Sequence, residues 1–407
     1  MKILVCDDRQ DGFNAARKLI PKGYEVCGLY EQDLKDALRD LFGAISDQLT
    51  RNAAEKPARL DHFAGFDLAI IDNDLTVLEF EGARLSAEAI IGYVRAFTDV
   101  PYIVSLNKNR GVDFDLRYLF GDYQSHSDLA INTGHLECER LWHRSTDQRF
   151  APWYWPRLPD AVARRRNQIR FVREHLGGSV WSELRIPESI SGYLSRRAKA
   201  ALCARGTEGS GSETTFRQFF DRSNVLQPMD RDTLGEMADG GVAPAAEVVS
   251  RLIAADVDRW IRRDLLGPQD VLIDLPHLFA RMPYLLGDNA RDVDHWNDAI
   301  LETEAPFGMD AAIYDSHVGN ARFGMDAWVP SPCFWWPSLN TNSDLFDLFL
   351  ASDKWPDAVF CEDATAFMLA QGEEGPHEIE VEMESSWPRR HIARVEGRYY
   401  SPPTRIV

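Results

Sequence analysis

Residues 1–10 read MKILVCDDRQ, and residues 66–75 read FDLAIIDNDL. Each is a short apolar run that ends abruptly in acids, Asp7 and Asp8 in the first, Asp72 and Asp74 in the second. An uninterrupted apolar run fits a strand buried on both faces, as in a parallel sheet, whereas a half-exposed strand alternates. In an open parallel sheet, ligands sit at the carboxyl ends of the strands, where the strand order reverses. Four carboxylates gathered at two such ends repel one another unless a cation or a proton offsets them. Hard oxygen donors in that number suit Mg²⁺ with some of its waters retained.

The surrounding sequence supports the sheet. KILVC (2–6), YEVCG (24–28), FDLAII (66–71), PYIVSL (101–106) and DLAIN (128–132) read as five strands. Between them, Leu34, Leu38, Leu41, Phe42, Ile45 and Leu49 form one helical stripe, and Ile90, Ile91, Val94 and Phe97 another. Strand and helix patterns alternating at this spacing predict an α/β, flavodoxin-like sheet of five parallel strands in the order 2-1-3-4-5. That order makes the ends of the first and third strands neighbours.

Beyond residue 145 the texture changes. RFAPWYWPRLP reads as a Pro/Trp-rich hinge over 146–160, followed by a mainly helical region over 161–304 and an aromatic-rich α+β region over 305–407. Three stripes mark the helical region. They run through Leu158, Val162, Ile169, Val172 and Leu176; through Ile190, Leu194, Ala198 and Leu202; and through Val249, Leu252, Val257, Trp260, Ile261 and Leu265. Pro244 introduces the last of these and Gly267-Pro268 stops it. RGTEGSGSETT (205–215) reads as a polar connecting loop. EIEVEME (378–384) alternates strictly, predicting a half-exposed strand with Ile379, Val381 and Met383 inward, able to pair antiparallel with residues 391–400.

The chain has 407 residues and a net charge of −19. Residues 1–150 contribute 18 Lys+Arg against 25 Asp+Glu, so both parts are acidic. The one dense basic cluster, Arg164 to Arg170, reads as a solvated helix face. Nucleic-acid binding, which needs a basic face, is disfavoured. Six scattered cysteines without a C-x-x-C pair read as reduced thiols and exclude a zinc ribbon or finger. No signal peptide and no apolar run of bilayer length is present, so a cytoplasmic protein with no membrane partner is expected. The Walker A loop, the G-x-S-x-G elbow and the H-E-x-x-H motif are all absent.

Residues 1–145 resemble the receiver domain of bacterial response regulators. The resemblance rests on the acid pair Asp7-Asp8, on Asp72 after the third strand, and on Ser105 at the end of the fourth. It implies that Asp72 is a phosphoacceptor served by a histidine kinase or phosphotransfer protein. It further implies Mg²⁺ held directly by Asp8 and Asp72, by Asp7 through water and by the Asp74 carbonyl, with Ser105 bonding phosphoryl oxygens. Glu81-Gly82 stands where the family usually has Asp-Gly, and Leu129 where an aromatic switch residue is expected. Asn132 and Thr133 replace the family's Lys-Pro, which leaves Lys108 as the cation able to serve the site from another direction.

The other two thirds hold only loose clusters: Asp292, Asp294 and His295; Asp315 and His317; Cys361, Glu362 and Asp363. Helix caps and surface acids account for most of these, and VFCEDATAF (359–367) is the best candidate for a second site. Trp328, Phe334, Trp335 and Trp336 read as core filling ahead of a ligand platform, and His277 as a core or capping residue. Two functions follow. One is a phosphorylated receiver, possible as a homodimer, regulating a non-DNA-binding output module. The other is an enzyme or effector with its chemistry in residues 150–407 and a degenerate pseudo-receiver used for docking or dimerisation.

Overall fold

A computed structural model describes residues 1–50, 61–75, 79–80, 83–84, 86–107, 114, 126–143, 156–202, 214–220, 243–302, 304–329, 331–351, 355–371, 376–379 and 390–396. Lys108, Glu81-Gly82, residues 146–155 of the Pro/Trp-rich segment, the Gly/Ser/Thr loop as far as residue 213 and residues 380–384 lie outside that set. So do the side chains of Ile45 and Leu49.

Five strands form the N-terminal sheet: β1 (Lys2–Asp7), β2 (Glu25–Tyr30), β3 (Leu68–Asp72), then, beyond the short hairpin β4 (Glu79–Phe80) and β5 (Ala83–Arg84), β6 (Tyr102–Asn107) and β7 (Leu129–Asn132). Their order is β2-β1-β3-β6-β7 and every pairing is parallel, which is 2-1-3-4-5 counted within the sheet. The fold is the expected flavodoxin-like one. Alternation of side chains splits the strands between two cores. Leu4, Cys6, Ala69, Ile71 and Ile103 face helices α2 (Glu31–Thr50) and α3 (Ala87–Phe97), whose Leu34, Leu38, Leu41, Ile90, Ile91 and Val94 fill that side. Ile3, Val5, Leu68, Ile70, Val104 and Ile131 face α1 (Gln10–Leu19), through Phe13 and Ala16. Ser86 caps α3 by accepting the Ala89 N–H at 3.2 Å.

A single long helix, α4 (Leu158–Glu174), joins this unit to the next. Leu158, Ala161 and Val162 belong to the sheet's α1-side core, while Val172, three turns on, belongs to the helical core. That second core gathers Val249, Leu252, Val257 and Trp260 of α5 (Ala243–Trp260), which runs directly into a π-helical turn, Ile261–Leu266. The expected stripe Ile190–Leu202 is buried but is not one helix: a 3-10 turn at Glu188–Gly192 and a helix at Arg196–Leu202 share it. Among the described residues, no helix is long and apolar enough to cross a membrane.

In the C-terminal region, β8 (Leu272–Asp274) pairs with β9 (Cys333–Trp335). A four-stranded sheet follows, in the order β11-β10-β13-β12, from β10 (Ala358–Cys361), β11 (Ala366–Leu369), β12 (His377–Ile379) and β13 (Arg390–Ile392). β12 and β13 are antiparallel, with Glu378 opposite His391, as the alternation of 378–384 suggested. The edge strand β11 is blunted by a side chain: Asn297 accepts the Phe367 N–H at 2.6 Å and donates to the Phe367 carbonyl at 3.3 Å. Trp328, Phe334 and Trp335 are buried core, and Trp336 is half-buried beneath the Arg281 guanidinium.

Candidate functional site

Cys6 is in register with Ile71, so β1 and β3 finish side by side. Asp7 closes β1, Asp8 follows it, and Asp72 closes β3. All three carboxylates are buried, and one oxygen from each lies within 4.8 Å of the others. Opposite ligands of an octahedral Mg²⁺ stand about 4.2 Å apart, so a small contraction fits the three around one ion. The donor set suits the ion: three hard oxygens, and no nitrogen or sulfur in the cluster. No other such cluster occurs among the described residues.

Local packing shapes this cup. Asp7 Oδ1 accepts the Arg9 N–H at 3.0 Å, and Asp72 Oδ1 accepts the Asp74 N–H at 3.4 Å. Arg9 places its Nε 3.6 Å from Asp8 Oδ1, yet its side chain is mostly in solvent. Gly12, in the first turn of α1, lies flat against Asp7; a Cβ there would stand 2.2–2.5 Å from the carboxylate. No side chain can occupy that position while Asp7 keeps its place. The Cys6 thiol is pushed up to about 12 by burial and by Asp7 beside it, so it stays neutral and is no ligand at ordinary pH.

The remaining expected residues are placed differently. Asp74 is exposed and reaches the cluster through its backbone N–H. Ser105 is buried, but Leu106 is the residue in register with Asp72; Ser105 is opposite Ile71 and shares its face, toward α2 and α3. Asn132 is buried at the end of β7 and its side chain is committed locally. Its Oδ1 accepts the His135 N–H at 3.0 Å, while His135 Nδ1 accepts the Asn132 N–H at 3.0 Å, a reciprocal box that starts the 3-10 turn Thr133–Glu137.

Arg166 and Arg170 are exposed, as expected of a solvated helix face, but a second set of buried charges corrects that reading at Arg165. Arg165 is only 2% exposed. It forms an ion pair with Asp128 at 2.9 Å and donates to Asp258 at 3.0 Å. Arg95 completes Asp128 at 2.7 Å, and Arg262 completes Asp258 at 2.7 Å. Gln168 donates to Asp258 at 2.9 Å and receives Arg165 Nε at 2.8 Å. Burial works to raise both carboxyls, but Arg165 and Arg95 hold Asp128, and Arg262 and Arg165 hold Asp258, below the usual range. Sequence reasoning missed this chain because its members come from distant parts of the sequence, Arg165 and Asp258 being 93 positions apart; only the apolar neighbours of Arg165 and Gln168 at helical spacing hinted at it.

Of the looser clusters, Asp292 caps a helix at Val293–Leu301 by accepting the Asp294 N–H at 3.0 Å, and His295 is exposed beside it. Asp315 is exposed and His317 half-buried on a π-helical turn, His317 touching Asn342. Asp363 accepts the Ala393 N–H at 2.8 Å and is structural. Glu362 is fully buried against Arg390 and His277. The chain matches no protein-family model and no curated protein.

Proposed function

We propose that residues 1–145 act as a receiver-like signalling domain, in which Asp72 accepts a phosphoryl group beside a Mg²⁺ held by Asp7, Asp8 and Asp72. The domain then regulates the helical and C-terminal regions, to which α4 ties it. The observation that carries this reading is the convergence of three buried carboxylates at two adjacent strand ends of a 2-1-3-4-5 sheet. In the transfer, an Asp72 oxygen attacks phosphorus while the phosphorus–nitrogen bond of a phosphohistidine donor breaks, and the histidine, whose other ring nitrogen carries a proton, takes the bond's electron pair and leaves as neutral imidazole. Mg²⁺, when bound, supplies positive charge for the phosphoryl oxygens. The Asp74 N–H orients the Asp72 carboxylate, and Gly12, lacking a Cβ, makes room for the Asp7 carboxylate. A histidine kinase or phosphotransfer protein is the matching partner; with net charge −19, a duplex nucleic acid is not.

Two observations favour a second reading, a cation-binding docking domain with its partner's chemistry in residues 150–407. Leu106 stands opposite Asp72, and Asn132 is spent on its cap. Beryllofluoride binding followed by ¹⁹F NMR separates the readings. Binding that needs Mg²⁺ and disappears in Asp72→Asn supports phosphoryl acceptance. A Mg²⁺ response without beryllofluoride binding supports docking, and absence of both overturns the cation site itself.

A further inference from the structure

Arg9, which follows the acid pair of β1, is fixed at its backbone and loose at its side chain. Its N–H donates to Asp7 Oδ1 at 3.0 Å, and its carbonyl accepts the Phe13 N–H at 3.2 Å, so Arg9 is the N-cap from which α1 starts. The side chain takes no part in that cap. Its Nε stands 3.6 Å from Asp8 Oδ1, and it is 69% exposed where the Asp8 side chain is 3% exposed. At that separation the contact is an ion pair and not a hydrogen bond, and a pair with one partner in solvent is weak. The edge of the acidic cup thus carries a cation on a pinned backbone, with a long arm that is free to turn.

We propose that Arg9 is a phosphoryl-binding residue of this site: it pairs with Asp8 until Mg²⁺ claims that carboxylate, then turns to the phosphoryl oxygens on Asp72. The proposal rests on the reading of Asp72 as phosphoacceptor. A divalent cation and a guanidinium compete for Asp8 and repel each other, so the weaker, solvent-exposed contact gives way. Phosphorylation replaces the Asp72 carboxylate by a group with more negative charge and strong acceptor oxygens. A guanidinium presents a planar fork of donors that matches those oxygens.

The distances allow the turn without any movement of the chain. Asp8 and Asp72 have oxygens within 4.8 Å of each other, so a guanidinium beside Asp8 comes to a group on Asp72 by a change of rotamer. The backbone of Arg9 stays where it is, because moving it would break the bond to Asp7 and the first turn of α1. The two halves of the residue therefore have separate tasks. Its amide positions Asp7, and its guanidinium serves first Asp8 and then the phosphoryl group. A substitution of the side chain alone removes the second task and keeps the first.

The test uses the full chain as wild type, Arg9→Gln and Lys108→Ala, with Mg²⁺ alone and then with Mg²⁺ and beryllofluoride. In calorimetry, Arg9→Gln should bind Mg²⁺ up to about fivefold more tightly, since an exposed competing cation has gone. At saturating Mg²⁺ it should bind beryllofluoride about tenfold more weakly, for want of a charge-assisted hydrogen bond. In the wild type, a ¹⁹F–¹H Overhauser contact should join beryllofluoride to the Arg9 side-chain protons, which charge acting at a distance does not produce. Unchanged beryllofluoride affinity in Arg9→Gln, a missing Overhauser contact, or a loss confined to Lys108→Ala overturns the role of Arg9 and leaves the phosphoacceptor reading standing. A wild type that binds Mg²⁺ but no beryllofluoride overturns both.

Discussion

The two buried charge clusters of the N-terminal sheet lie at opposite ends of its strands and obey opposite rules. At the carboxyl ends, Asp7, Asp8 and Asp72 bring three like charges together, and the Arg9 side chain, mostly in solvent, lies 3.6 Å from Asp8. At the amino ends, Asp128 sits just before β7 and alternates with arginines: Arg95, Asp128, Arg165, Asp258, Arg262. The second cluster compensates itself and links β7 to α4 and α5. The first gathers one oxygen from each of three carboxylates within 4.8 Å, a shape that could hold a cation. Burial alone does not mark a binding site; the sign pattern within the burial does.

Breaking the self-compensated chain has the largest expected effect. Arg165→Met leaves two buried aspartates short of a partner and should cost about 3–5 kcal/mol in denaturant unfolding. Loss of under about 1 kcal/mol would place this chain with weak surface pairs instead. The same network sets an acid limit. Because Asp128 and Asp258 are held low when folded, their stabilisation is complete above the unfolded carboxylate range near 4 and is lost as pH falls through their folded values. Arg165→Met should flatten that acid branch of the stability curve.

At the other cluster, Gly12→Ala drives a methyl into the Asp7 carboxylate and should cost about 1–3 kcal/mol. It should also remove any stabilisation by Mg²⁺. An unchanged Mg²⁺ response would mean Asp7 does not line the cation site. The smallest effect is expected at Asn132, where Asn132→Ala removes the cap of the Thr133–Glu137 turn for about 1 kcal/mol. Calorimetric Mg²⁺ affinity should not change, since that side chain faces its own turn. A large loss of affinity would show that Asn132 belongs to the cup after all.

Most of the sheet was legible because its strands are uninterrupted apolar runs, and the acids ending β1 and β3 marked the cluster at once. Helix α1 was not read: within ten residues it shows only Phe13 and Ala16 as buried positions, too few to establish a period. Ser105 looked like a strand-end hydroxyl, but register is set by pairing, and one step moves a side chain to the other face. Arg165 and Arg390 were illegible for a different reason. An arginine is buried only when its partners are, and Asp258, Glu362 and His277 are brought to them by tertiary packing. His277 was read as a core or capping residue; its burial fits that, and Asp274, Glu362 and Arg390 surround its ring nitrogens.

The most direct measurement compares melting temperatures of the wild type and Asp72→Asn, each in chelator and in excess Mg²⁺. In chelator, removing one of three like charges should make Asp72→Asn the more stable protein. In Mg²⁺ the order should reverse, because only the wild type gains by binding the ion to its folded state. A wild type that melts at the same temperature in both conditions, and above Asp72→Asn in chelator, would contradict the claim that this cluster is built for a cation.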